Sequence, residues 1–130
     1  MKKKETKLVN FDKALQRLKE AIKVFEQSNN NDVIRDGVIQ RFEFTYELAW
    51  KAAKEYLEYA GIAGRTSPRA VFKEAYAQQL ITNEDNWLAM LNDRNMTSHI
   101  YKEEMAEEIA QRIVDCYVGE FELLLQELMK

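Results

Sequence analysis

The stretch "DRNMTSHIY", Asp93 to Tyr101, gathers an arginine, an asparagine, a threonine, a serine and the chain's single histidine where the apolar spacing of a helix would otherwise continue. Histidine has a reference pKa of about 6.5 and trades a proton near neutral pH, whereas arginine stays charged and can grip a phosphate through a bidentate fork. Together Arg94 and His99 suit metal-free transphosphorylation of RNA. In such a reaction a base activates the ribose 2′-OH and a cation stabilises charge on a phosphorane-like transition state. Asn95, between them, can orient either the phosphate or the imidazole.

Their geometry depends on what the backbone does here. If one helix ran unbroken from Trp87 and Leu91 to Met105 and Ile109, then Arg94, Asn95, Ser98 and His99 would share its face, with Met96 and Ile100 opposite. Polar groups turned inward cost stability unless they are hydrogen-bonded, so such a cluster is either a network or a site. Alternatively "NMTS" breaks the helix and resets the phase, and spacing alone leaves both readings open. On a straight helix Arg94 and His99 lie about 140° apart. A complete site then requires a bend or a second subunit.

Other candidates have plainer explanations. A lone histidine is more often structural than catalytic, and a lone arginine is usually an ion-pair partner. The Glu103, Glu104, Glu107 and Glu108 cluster lacks the histidines or clustered aspartates of a metal site and instead suits the start of a helix. No metal and no cofactor are expected. Trp50, Trp87 and Cys116 read as core, and the i+4 series Glu43, Glu47, Lys51 and Glu55 as a solvated, partly paired helix face.

The elements that must position these residues are all helical. Asn10 is a candidate N-cap for a first helix whose Phe11, Ala14, Leu15, Leu18, Ala21, Ile22 and Phe25 keep the spacing of one buried face. After "SNNND", Asp32 can cap a second helix to about Ala60, closed by Gly61 in a left-handed position. That helix carries "QRFEFTYELAWK". Phe42, Tyr46, Ala49, Ala53 and Tyr56 form one stripe, while Phe44, Leu48 and Trp50 point elsewhere, as in a helix buried on more than one side. Ser67 and Pro68 read as N-cap and first residue of a third helix to about Gln79. Thr82 with Asp85 starts a fourth. A last helix runs from about Lys102 to Leu128. The expected fold is all-α, four main helices packed antiparallel with short connections.

Composition narrows the function. A chain of 130 residues fits one domain, and four glycines with one proline are too few for the turns of a strand-rich fold. A formal charge of -3 argues against a broad phosphate-binding surface, so any contact with RNA must be local. One cysteine excludes an intramolecular disulfide and fits a reducing cytoplasm. No apolar run is long enough to span a membrane, and the first nine residues read as a solvated tail.

"RNMTSHIY", an arginine, a polar residue, three more positions, a histidine and then a tyrosine two further on, resembles the signature of HEPN-domain proteins. Taken with "QRFEFTYELAWK" upstream, it resembles the nucleotidyltransferase substrate-binding protein family within them, over nearly the whole chain. The resemblance implies a HEPN-like antiparallel four-helix bundle with an additional short helix, a homodimer whose polar motifs meet at the dimer cleft, and a minimal nucleotidyltransferase as partner. It further implies that Arg94 and His99 correspond to the ribonuclease pair, Asn95 to the supporting polar residue, and Tyr101 to the tyrosine that partner enzymes adenylylate. The expected function is the toxin half of a toxin–antitoxin module acting as a metal-independent endoribonuclease. Two readings compete with it: a noncatalytic subunit whose cleft holds a nucleotide or the partner's substrate, and a structural dimer whose polar network fixes helix register.

Overall fold

The computed structural model describes the backbone of residues 2–130 and the side chains of residues 6–130. The elements are α1 (Lys2–Glu26), α2 (Asp32–Tyr59), α3 (Pro68–Ala77), α4 (Glu84–Met96), a 3₁₀ turn (Thr97–His99), α5 (Glu103–Arg112), a π-helical turn (Ile113–Tyr117) and α6 (Val118–Leu128). This is the all-α bundle anticipated from the sequence, with α3 as the additional short helix and α5 to α6 as one rod. Helix α2 is the central member, touching α1, α3, α5 and α6. Among the described residues no helix is long and apolar enough to cross a membrane.

Side-chain caps fix the starts of α2, α3 and α4. Ser67 accepts a hydrogen bond from the Ala70 amide ahead of Pro68, as expected. Gly61 closes α2 with φ of 89°, a conformation in which a side chain would be strained. Two caps differ from expectation by one residue: Asn31, not Asp32, accepts from Ile34, and Asn83, not Thr82, accepts from Asn86. In both places an asparagine side chain fills the position at equal or better propensity. The first helix begins at Lys2, well before Asn10, so residues 2–9 are helical where a tail was expected. Nothing in that stretch breaks a helix, and Leu8 adds an apolar contact to the core. Residue 1 lies outside the described residues.

The core is a chain of aromatic rings. Phe42 stacks on Tyr117 at 5.6 Å, Phe11 and Trp87 meet Phe121 edge-on at 6.1 and 5.8 Å, and Phe72 bridges Trp87 and Tyr46 at 5.0 and 5.9 Å. Each such buried side chain contributes about 1.5–3 kcal/mol relative to exposure. Trp87 is core as expected. Trp50 and Cys116 are half-buried at the edge of the core, and Phe44 remains exposed on the outer face of α2.

The π turn was not anticipated, and the apolar pattern explains it. Buried Ile109, Ile113, Tyr117 and Phe121 recur every four residues. On an α-helix that spacing drifts by about 40° per step. One wider turn absorbs the drift and returns Tyr117 and Phe121 to the core face.

Candidate functional site

The polar stretch breaks the helix, which settles what spacing left open. Helix α4 ends at Met96, Ile100 is extended, and Lys102 leads into α5 in an extended conformation. Thr97 is the local cause. Its hydroxyl lies 2.7 Å from the Arg94 carbonyl oxygen and 2.5 Å from Glu43 Oε2, competing with the helical ladder and tying the break to α2. Ser98 reaches back more weakly to the Asn95 carbonyl at 3.4 Å.

Arg94, in the last turn of α4, is half-buried, with its Nη1 3.4 Å from both Glu43 Oε2 and Thr97 Oγ1. Its Nε–H is buried and has no hydrogen-bond partner among the described residues. His99 and Asn95 are exposed, and Tyr101 is 85% exposed. The His99 and Tyr101 ring centres lie 6.5 Å apart, with the rings tilted by 46°. The structure therefore forms two groups, Arg94 with Glu43 and Thr97, and His99 with Tyr101, and no hydrogen bond among the described residues joins them.

Three supporting elements were not anticipated. Glu43, read from spacing as part of a solvated face, reaches across to Arg94 and Thr97. Asp93, directly before Arg94, is buried and fully engaged: Arg112 donates to it from Nε at 2.7 Å and Nη2 at 2.9 Å, and the Tyr117 hydroxyl donates at 2.5 Å. Those hydrogen bonds hold the Arg112 guanidinium pKa up. The Tyr117 phenol is also pushed up, by burial first and then by its bond to Asp93. The knot pins the end of α4 to the π turn and so sets where Arg94 emerges. One signal was present in the sequence, since Asp93 follows Met90 by three residues and shares its buried face.

The third element is Arg35, buried on α2, which donates to Glu103 at 2.8 Å and to Asp36 at 3.0 Å. These bonds, led by the one to Glu103, hold the Arg35 pKa up and lower that of the Glu103 carboxyl. Arg35 thus forms the wall of a groove of about 400 Å³ between α2, the break and the start of α5, which Glu43, Thr97 and Tyr101 also line. Arg94 and His99 do not line it. Within one chain the arrangement supplies a fixed cation, a solvent-facing imidazole and phenol, and an adjoining groove.

Residues 6–130 match the family described as nucleotidyltransferase substrate binding protein like. The chain is 35% identical over 101 residues to the probable ribonuclease HepT of Haemophilus influenzae, which spans 75% of this chain and 68% of that protein. Its structure is similar to one from Haemophilus influenzae described as revealing the fold of a substrate binding domain of a nucleotidyltransferase, with a TM-score of 0.86, 30% identity and coverage of 95% and 99% of the two chains. It is also similar in fold to a tri-AMPylated Shewanella oneidensis HEPN toxin in complex with its MNT antitoxin, with a TM-score of 0.77, 20% identity and coverage of 97% and 96%.

Proposed function

The chain belongs to the nucleotidyltransferase substrate-binding-like family, and on that premise we propose that it is a single HEPN-like domain acting as the toxin half of a toxin–antitoxin module, a metal-independent endoribonuclease. The observation that carries this reading is the break after α4. It leaves the His99 side chain exposed and without a hydrogen bond among the described residues, five residues from an arginine whose position is fixed by Glu43 and Thr97. A merely structural histidine would be buried and paired.

In the proposed reaction the ribose 2′-oxygen attacks the adjacent phosphorus, forming the O2′–P bond of a 2′,3′-cyclic phosphate while the P–O5′ bond breaks. The 2′-OH proton passes to a base and the departing 5′-oxygen gains a proton, roles that fall to His99 and its counterpart in a second subunit. Arg94 stabilises the charge building on the phosphoryl oxygens. Asn95 supports the phosphate. A homodimer brings the two Arg94 and His99 sets together, and the exposed Phe44 face of α2 supplies apolar surface for a two-fold contact.

The partner in this reading is a minimal nucleotidyltransferase, as in the toxin–antitoxin complex of the Shewanella oneidensis neighbour. Tyr101, the most exposed of the large hydrophobic side chains among the described residues, is the position it adenylylates, placing a bulky anion beside the site. The module works in the cytoplasm and needs no cofactor. Incubating a labelled RNA pool with purified protein in chelator tests the enzyme reading. Fragments with 2′,3′-cyclic phosphate ends are expected from the wild type and absent from Arg94→Ala and His99→Ala.

A second reading has its own observation: Arg94 is engaged by Glu43 and not by His99. A noncatalytic subunit that holds a nucleotide, or its partner's substrate, needs no such pairing. It would bind without turnover in the same assay.

A further inference from the structure

We infer that the groove beside the break is a subsite for one nucleobase of single-stranded RNA, with Gln40 reading the base edge and Lys102 meeting the neighbouring phosphate. This rests on the ribonuclease reading and deepens it by naming the part of the molecule that selects sequence. The groove's volume of about 400 Å³ admits a base with its ribose.

Its chemistry is that of heterocycle recognition. Ile39, Ile100 and Ala106 contribute an apolar lining, and Tyr101 stands at the edge with its ring exposed. The charged groups in the wall are already engaged. Arg35 is held by Glu103 and Asp36, and Glu43 is held by Arg94 and Thr97. A bare anion or a cation therefore finds its natural partners occupied. Left over are the exposed Gln40 amide, which both donates and accepts, and the exposed Lys102 ammonium, neither of which has a side-chain partner among the described residues. An amide matches the donor and acceptor edge of a base, an aromatic ring offers a stacking face, and one ammonium suffices for one phosphate.

Position strengthens the inference. Glu43 lines the groove and also contacts Arg94, so a base seated there lies one side chain away from the arginine that would hold the scissile phosphate. The shared chemistry is a nucleobase, and its source is either an RNA strand or a free nucleotide.

Fluorescence anisotropy of labelled 2′-O-methyl hexanucleotides separates binding from cleavage, because these strands lack the attacking hydroxyl. Four homopolymers titrated into the intact wild-type protein should differ in Kd by about tenfold between the best and worst base, the scale of one good base-edge pair. In Gln40→Ala the spread should fall to about twofold or less, while Lys102→Ala should weaken all four alike. Equal affinity for all four in the wild type, or a preference that survives Gln40→Ala, overturns the inference. A parallel titration with AMP distinguishes the source. Gln40-dependent binding of AMP but of no oligonucleotide retains the nucleobase subsite, and it counts against the ribonuclease reading. Binding of neither overturns the subsite itself. A base preference in a protein that cleaves no RNA leaves the subsite standing and moves the function to a binding subunit.

Discussion

Asp93 and Arg94 are adjacent in the chain and have opposite surroundings. Asp93 is 5% exposed and accepts three hydrogen bonds from Arg112 and Tyr117. Arg94 is half-exposed, held at long range by Glu43 and Thr97, and followed by a segment in which Asn95, Ser98, His99 and Tyr101 face solvent. The contrast separates two uses of polar residues. In the first, both oxygens of the buried carboxylate are taken up by donors, which fixes a helix end to the core. In the second, capacity is left over, and left-over capacity near a fixed cation is what a substrate requires.

Breaking the knot should have the largest effect on stability. Asp93→Ala leaves the buried Tyr117 hydroxyl and part of the Arg112 guanidinium without a partner, and the expected loss is about 2–3 kcal/mol, discounted because Arg112 can rehydrate. Urea denaturation monitored by circular dichroism reads this directly. Tyr117→Phe removes one donor and keeps the ring, so a smaller loss of about 1 kcal/mol is expected.

The same knot gives a pH signature. A phenol whose folded pKa is raised above its unfolded value of about 10 favours folding fully below that value, and the contribution is lost as pH rises through the folded one. The wild-type denaturation midpoint should therefore fall more steeply above about pH 10 than that of Tyr117→Phe. Equal slopes would mean that the phenol is not coupled to folding.

On the open side the stability effects shrink. Glu43→Gln should change stability by less than about 1 kcal/mol, as for other partly exposed ion pairs, while loosening Arg94 and lowering cleavage. A loss of several kcal/mol on denaturation would place Glu43 in the scaffold instead. Smallest of all, Tyr101→Phe should leave stability within about 0.5 kcal/mol of wild type. It should also abolish the mass gain of AMP units when the nucleotidyltransferase partner and ATP are present, and persistence of that gain would move the modification elsewhere.

How far the sequence could be read follows the same division. The helix faces were legible because Phe11, Leu15, Leu18 and Phe42, Tyr46, Ala49 repeat at the helical period. Arg94, Asn95, His99 and Tyr101 were picked out by residue type and by their resemblance to a known motif. Whether the helix broke between them was not legible, since Thr97 acts through a contact with Glu43 more than fifty residues away. Glu43 itself looks the same in sequence whether it faces water or a neighbouring arginine. Asp93 was passed over because its partners lie 19 and 24 residues further on, across the π turn. That turn was hidden too, since an apolar spacing of four looks helical until its drift is summed.

One variant tests the central claim most directly. His99→Ala, measured for both thermal unfolding and cleavage of labelled RNA in chelator, should unfold at the wild-type temperature and release no 2′,3′-cyclic phosphate ends from RNA that the wild type cuts. A large drop in unfolding temperature would show that His99 belongs to the scaffold, and undiminished cleavage would show that the chemistry lies elsewhere in the molecule.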